Sequence, residues 1–131
     1  MATPFLLTVA APAGEVFTGE VDFVVVPGVE GELGILARHA PLIAGLATGI
    51  VRYEREGRVR KISIGGGFLE VADNKVTILA KTAETAEMID RSRAEAAKER
   101  AEQRLRQKEG TDLLRAEAAL KRALSRLQTL N

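Results

Sequence analysis

The sequence predicts an α+β protein: a strand-rich N-terminal part built as a sandwich or barrel, then a C-terminal hairpin of two helices. Three observations predict it. All four Phe and the single Tyr (Phe5, Phe17, Phe23, Tyr53, Phe68) lie before residue 69. Eleven of the 12 Gly and all four Pro lie before residue 84. Beyond that point the chain is mostly Ala, Leu, Glu, Lys and Arg, with glycine only at Gly110. The composition changes near Lys81 to Glu87 and divides the chain into residues 1–84 and 85–131.

The strand signals run in order. Phe5 to Val9 is a short apolar strand. EVDFVVV (Glu20 to Val26) begins with alternation and becomes wholly apolar, as a strand buried on both faces does, and Pro27-Gly28 ends it. GELGIL gives a short turn and strand, and LIAGLATG another. GIVRYEREGRVRKISIGG is the clearest hairpin: two alternating strands meet at Glu56-Gly57, where glycine takes the positive φ of the turn. GGFLEVADNKVTILA repeats the pattern around Asp73-Asn74. Short strands at ~8–12-residue spacing imply a sandwich or barrel.

The helical part reads as one helix from about Ala86 to Gln107, a break at Glu109-Gly110-Thr111-Asp112, and a second from about Asp112 to Gln128. Glycine suits the first helix's C-terminus, and Thr111 or Asp112 can cap the second. The second stripe is Leu113, Ala116, Leu120, Ala123 or Leu124, and Leu127; the first is thinner, with Ile89, Ala97, Ala101 and Leu105. A short connection makes the pair antiparallel. A buried Leu contributes ~1.5–3 kcal/mol and an Ala far less. The hairpin therefore has helix propensity but little apolar area for docking, which suits a segment with two arrangements separated by a few kcal/mol.

Composition excludes several functions. Hydrophobic residues make up 46% and charged residues 28%, a globular balance. The net charge of +1 gives no electrostatic case for nucleic acid. With no cysteine, thiol catalysis, disulfides and cysteine-zinc sites are absent. MATPFLLTVAAPAG is a poor signal peptide, and no apolar run approaches the ~20 residues of a membrane span.

Few residues suggest chemistry. GGGFLEV (Gly65 to Val71) lacks the Lys-Ser/Thr and the helix of a phosphate loop and reads as a sheet corner. His39 is the only histidine and lacks a Ser, Cys or carboxylate partner at a catalytic spacing; its role is structural or at an interface. Glu30 and Glu32 on a Gly-flanked loop read as solvated or as a partner contact. In MIDRSRAEAAKER, Asp90, Arg93 and Arg100 share one helix stripe, and Arg122 and Arg126 can come opposite it from the second helix. Arginine binds phosphate through bidentate hydrogen bonds. The competing reading is a solvated face, since such pairs are ordinary on exposed helices and contribute only ~0.2–0.5 kcal/mol each.

Taken together, GELGILARHAPLIAGLATG, GGFLEVADNKVTILA and the Ala-rich C-terminal hairpin resemble the epsilon subunit of the bacterial F-type ATP synthase over essentially the whole chain. One departure is Ala37 to His39, where many relatives have Pro-Gly-His. The resemblance implies a ten-stranded β-sandwich followed by an antiparallel two-helix hairpin. It implies a non-catalytic rotor subunit of the central stalk of the proton-translocating complex, on the cytoplasmic face of the bacterial plasma membrane, peripheral and held there only through the complex. The sandwich would meet the gamma subunit and the c-ring, with Glu32 and His39 at the rotor. The hairpin would permit ATP hydrolysis when folded and block it when extended; Arg115, Lys121, Arg122 and Arg126 would then meet an acidic segment of the beta subunit.

Some bacterial members bind ATP in the folded hairpin through an (Ile/Leu)-Asp-x-x-Arg-Ala motif, which Ile89-Asp90-Arg91-Ser92-Arg93-Ala94 matches in full. By position, Glu84, Arg100, Arg122 and Arg126 complete the ligand set. ATP is thus the implied regulatory ligand, and magnesium can accompany it. No residue is placed to activate water, so binding without hydrolysis is expected. The alternative is a structural stalk subunit with a fixed inhibitory hairpin and no nucleotide.

Overall fold

The computed structural model describes residues 3–107 and 112–131. Eight strands come first: β1 Phe5–Ala11, β2 Gly14–Val21, β3 Phe23–Gly28, β4 Gly31–Ile35, β5 Leu42–Arg55, β6 Arg58–Ala72, β7 Lys75–Ala80 and β8 Ala83–Thr85. They join in the order β2-β1-β7-β6-β5-β3-β4, with β8 also on β6. The core draws on every strand, from Phe5, Leu7 and Val9 through Val24, Ile35, Val51, Ile62 and Leu69 to Ile78 and Ala83.

The strands number eight and not ten because two of them are long. LIAGLATG and GIVRYER form one continuous strand of 14 residues, and β6 runs unbroken for 15. Conversely, Glu20–Val26 is not one strand. It divides at Asp22, whose N–H donates to Glu54 O at 2.8 Å, so that β2 ends and β3 begins there.

Both predicted turns form. Glu56 and Gly57 have φ of 54° and 75°, and Asp73 and Asn74 have φ of 51° and 59°. Successive positive φ values are the mark of the tight hairpin turn whose twist matches the strands. The triple glycine is a sheet corner: β6 pairs β8 over Ile62–Ile64 and β7 from Gly67 onward. A Cβ on Gly67 would collide with the carbonyl of Leu79 and come 2.7 Å from Ala80 Cα.

The C-terminal part begins with a single 3-10 turn, Ala86–Met88. Ile89 and Asp90 are extended, and the first α-helix, α1, runs Arg91–Arg106, with α2 at Leu113–Thr129. The first helix therefore starts five residues later than composition predicts. Asp112 caps α2, its Oδ1 accepting from Arg115 N–H at 3.1 Å; Gly110 and Thr111 lie outside the described residues. Residues of early α1 and late α2 line one cleft, as an antiparallel pair requires.

Candidate functional site

Helix α1 packs mainly on α2, and α2 packs on β5 and β6. The fully buried helical residues are small: Ala94 and Ala101 on α1, and Ala116, Ala123, Ser125 and Thr129 on α2. Such side chains let backbones approach closely. Between early α1, late α2 and β8 lies a cleft of about 370 Å³, a size ordinary for a small-molecule site.

Seven of the eight residues expected to hold nucleotide line it: Glu84, Ile89, Asp90, Arg93, Ala94, Arg100 and Arg126. Arg122 is exposed and does not line it. It precedes the buried Ala123, while Arg126, one turn on, points inward. The sequence reading missed Met88, Ala96 and Ala97. Ala96 and Ala97 lie three and four residues after Arg93, so the same helix-stripe rule would have found them; Met88 carries no such signal.

Both carboxylates of the cleft have an identifiable partner. Glu84 sits on β8, held opposite Ser63 of β6, and its Oε1 accepts from Arg126 Nε at 2.6 Å. This ion pair ties the sandwich to the end of α2. Asp90 precedes α1 with extended backbone (φ −89°, ψ 112°), and its Oδ1 accepts from Arg93 N–H at 3.1 Å. Arg93 and Arg100, two turns apart, share the cleft side of α1. Three guanidiniums thus face a cleft whose apolar wall is Met88, Ile89 and three alanines, Ala94, Ala96 and Ala97, a combination suited to a ligand with phosphates and an apolar ring. Both carboxylates are engaged within the protein, and among the described residues no group of three acidic or His side chains forms a metal site.

The other candidates lie elsewhere. Arg115 and Lys121 are exposed on α2. Glu32 is exposed and pairs with Arg52 at 3.2 Å, while Glu30 sits in the exposed β3–β4 turn. His39 is exposed, its Nδ1 donating to Ala40 O at 2.7 Å. In the same turn, Arg38 takes a φ of 62° and its N–H donates to Asn74 Oδ1 at 2.7 Å, which fixes the loop although Arg38 is not a glycine.

Two family models cover the chain. The ATP synthase delta/epsilon chain β-sandwich domain matches residues 4–86, and the long α-helix domain of the same chain matches residues 87–131. The chain belongs to this family. It is 57% identical to the ATP synthase epsilon chain of Desulfitobacterium hafniense, over 97% of this chain and 96% of that one. The epsilon chain of Desulforamulus reducens is 47% identical over 98% of each. Among solved structures, a chain of the Euglena gracilis mitochondrial ATP synthase superposes with a TM-score of 0.82 and 26% identity, covering 100% of this chain and 84% of its own. An epsilon chain is a stalk subunit of the synthase and is not its catalytic chain. Among the described residues, no helix is long and apolar enough to cross a membrane.

Proposed function

We propose that this rotor subunit couples the stalk to the catalytic head and restrains ATP hydrolysis through its hairpin, which binds ATP in the docked arrangement. The cleft carries the reading. Arg93 and Arg100 come from α1, Arg126 from α2, and Glu84 from the sandwich, so a phosphate-bearing ligand there bridges all three parts. A ligand that binds only the docked form stabilises it by about 2.7 kcal/mol at a hundredfold excess over Kd. That is large against a seam built from alanine and serine. The same α2 cations, Arg115, Lys121, Arg122 and Arg126, meet an acidic segment of the beta subunit when the hairpin extends. The sandwich, with Glu32 and His39, meets the gamma subunit and the c-ring. The subunit is then peripheral, on the cytoplasmic face of the bacterial plasma membrane. Magnesium, if it accompanies ATP, is held by the phosphates, since Glu84 and Asp90 are already engaged.

One observation favours the second reading, a fixed clamp: the Glu84–Arg126 ion pair itself ties the hairpin to the sandwich. Calorimetry of the whole chain with ATP separates the two. Nucleotide binding predicts saturable heat, no released ADP, and affinity reduced about tenfold or more in Arg93→Ala with Arg126→Ala. A wild-type chain that takes up no ATP leaves the fixed clamp.

A further inference from the structure

The carboxylate of Asp90 lines the same cleft as Arg93, Arg100 and Arg126, and a free carboxylate there would repel the phosphates that those arginines attract. It is not free. Its Oδ1 accepts the N–H of Arg93 at 3.1 Å, and its own carbonyl accepts the N–H of Ala94 at 3.0 Å. We propose that Asp90 is a positioning residue: it fixes where α1 begins, and so aims Arg93 and Arg100 into the cleft, without contacting the nucleotide. The proposal deepens the nucleotide reading and rests on it.

The chain contains its own control. The pattern Asp-x-x-Arg occurs at the start of both helices, as Asp90-Arg91-Ser92-Arg93 and as Asp112-Leu113-Leu114-Arg115. In each, the Asp is extended (φ −89°, ψ 112° and φ −76°, ψ 101°) and its Oδ1 accepts from the Arg backbone N–H at 3.1 Å. Asp112 does not line the cleft between the helices. The shared geometry is therefore that of an N-cap, whose side-chain oxygen satisfies one of the helix's unpaired N–H groups and whose charge the helix dipole favours.

Placing the start matters because the preceding residues would otherwise join the helix. Ala86-Glu87-Met88 has good helix propensity, which is why composition alone starts α1 there. Instead it makes one 3-10 turn, and extended Ile89 and Asp90 separate it from α1. Each residue of slippage turns the helix by about 100°. Arg93 and Arg100 would leave the cleft together.

Three substitutions at Asp90 test this, with ATP calorimetry and amide hydrogen exchange read on each. Asn and Ser cap as well as Asp, whereas Ala does not. D90A should weaken ATP binding about fivefold and speed exchange of the Arg93 amide, while D90N and D90S stay within about twofold of wild type. D112A should speed exchange at Arg115 and change ATP affinity by less than about twofold. Asn and Ser weakening binding as much as Ala would show the carboxylate touching the ligand and overturn the proposal. So would unchanged Arg93 exchange in D90A. Absence of ATP heat with wild type is a separate result: it overturns the nucleotide reading, and the helix-start role is then decided by Arg93 exchange alone.

Discussion

The sandwich and the hairpin are held by different physics. The largest fully buried side chains, among them Leu7, Ile35, Ile62, Ile64, Leu69 and Ile78, all belong to the sandwich. The hairpin buries alanines, a serine and a threonine, and leaves Leu113 and Leu114 exposed. Its seam is instead polar. Ser125 Oγ donates to Gly49 O at 2.8 Å, which uses its only hydrogen, so Ser63 Oγ donates to Ser125 Oγ at 2.8 Å. Lys61 Nζ donates to Asn131 O at 2.8 Å and to Gln128 O at 3.4 Å. Water can replace each of these bonds on undocking, whereas nothing replaces buried isoleucine contacts. Directional bonds also specify one docked register, which close-packed alanines alone would leave loose. The hairpin is therefore exactingly placed by bonds that water can replace.

The largest effect that tests this contrast is a cavity in the sandwich. Ile62→Ala or Ile78→Ala removes a wholly buried side chain and should lower global stability by about 2–5 kcal/mol, read from chemical denaturation. Both parts should lose protection together, because α2 rests on β5 and β6. A hairpin that kept its exchange protection while the sandwich melted would break the comparison, for it would then carry its own core.

A smaller and more local effect is expected at the seam. Ser125→Ala leaves the buried Ser63 hydroxyl and the Gly49 carbonyl without this partner, at a cost of about 1–3 kcal/mol. The loss should appear as faster exchange of α2 amides, with the sandwich transition nearly unmoved. If Ser125→Ala instead lowered the sandwich transition as far as Ile62→Ala does, the seam would not be separable from the core.

Local chemistry was legible in the sequence, and long-range placement was not. Glu56-Gly57 and Asp73-Asn74 announce their turns because positive φ there needs those residue types. GEVFTGEV, by contrast, has two glycines and exposed polar positions, so edge strand β2 carries almost no apolar signal. LIAGLATG looks terminated by its glycines, yet Gly49 is mid-strand: a Cβ there would come 2.7 Å from Pro27 Cβ. In the cleft, the shared stripe of Arg93 and Arg100 follows from helical periodicity, as does the thin apolar face of α1. Glu84 came only through the family resemblance, because what places it is the pairing of Ser63 with Glu84 across the sheet. Arg122 and Arg126 look equivalent at four-residue spacing; the docking of α2 through Ala123 and Ser125 is what turns only Arg126 into the cleft.

The smallest predicted effect separates the two parts by pH. Tyr53 is buried at the end of the sandwich, against Phe17 at 4.5 Å between ring centroids. Burial pushes its phenol above the ordinary value, and the Arg60 and Arg55 guanidiniums only partly oppose that. The unfolded chain therefore loses this proton at lower pH than the folded chain does. The stabilisation is complete below the ordinary tyrosine pKa of about 10 and is lost as pH rises through the higher folded value. Because Tyr53 is the only Tyr and there is no Trp, phenolate absorbance reads this one group. Alkali should thus weaken the sandwich through Tyr53, and Tyr53→Phe should remove that part of the pH dependence while leaving hairpin exchange at neutral pH unchanged. Should Tyr53→Phe retain the full alkaline loss, the titrating group is not Tyr53 and the link between burial of this ring and the pH dependence is broken.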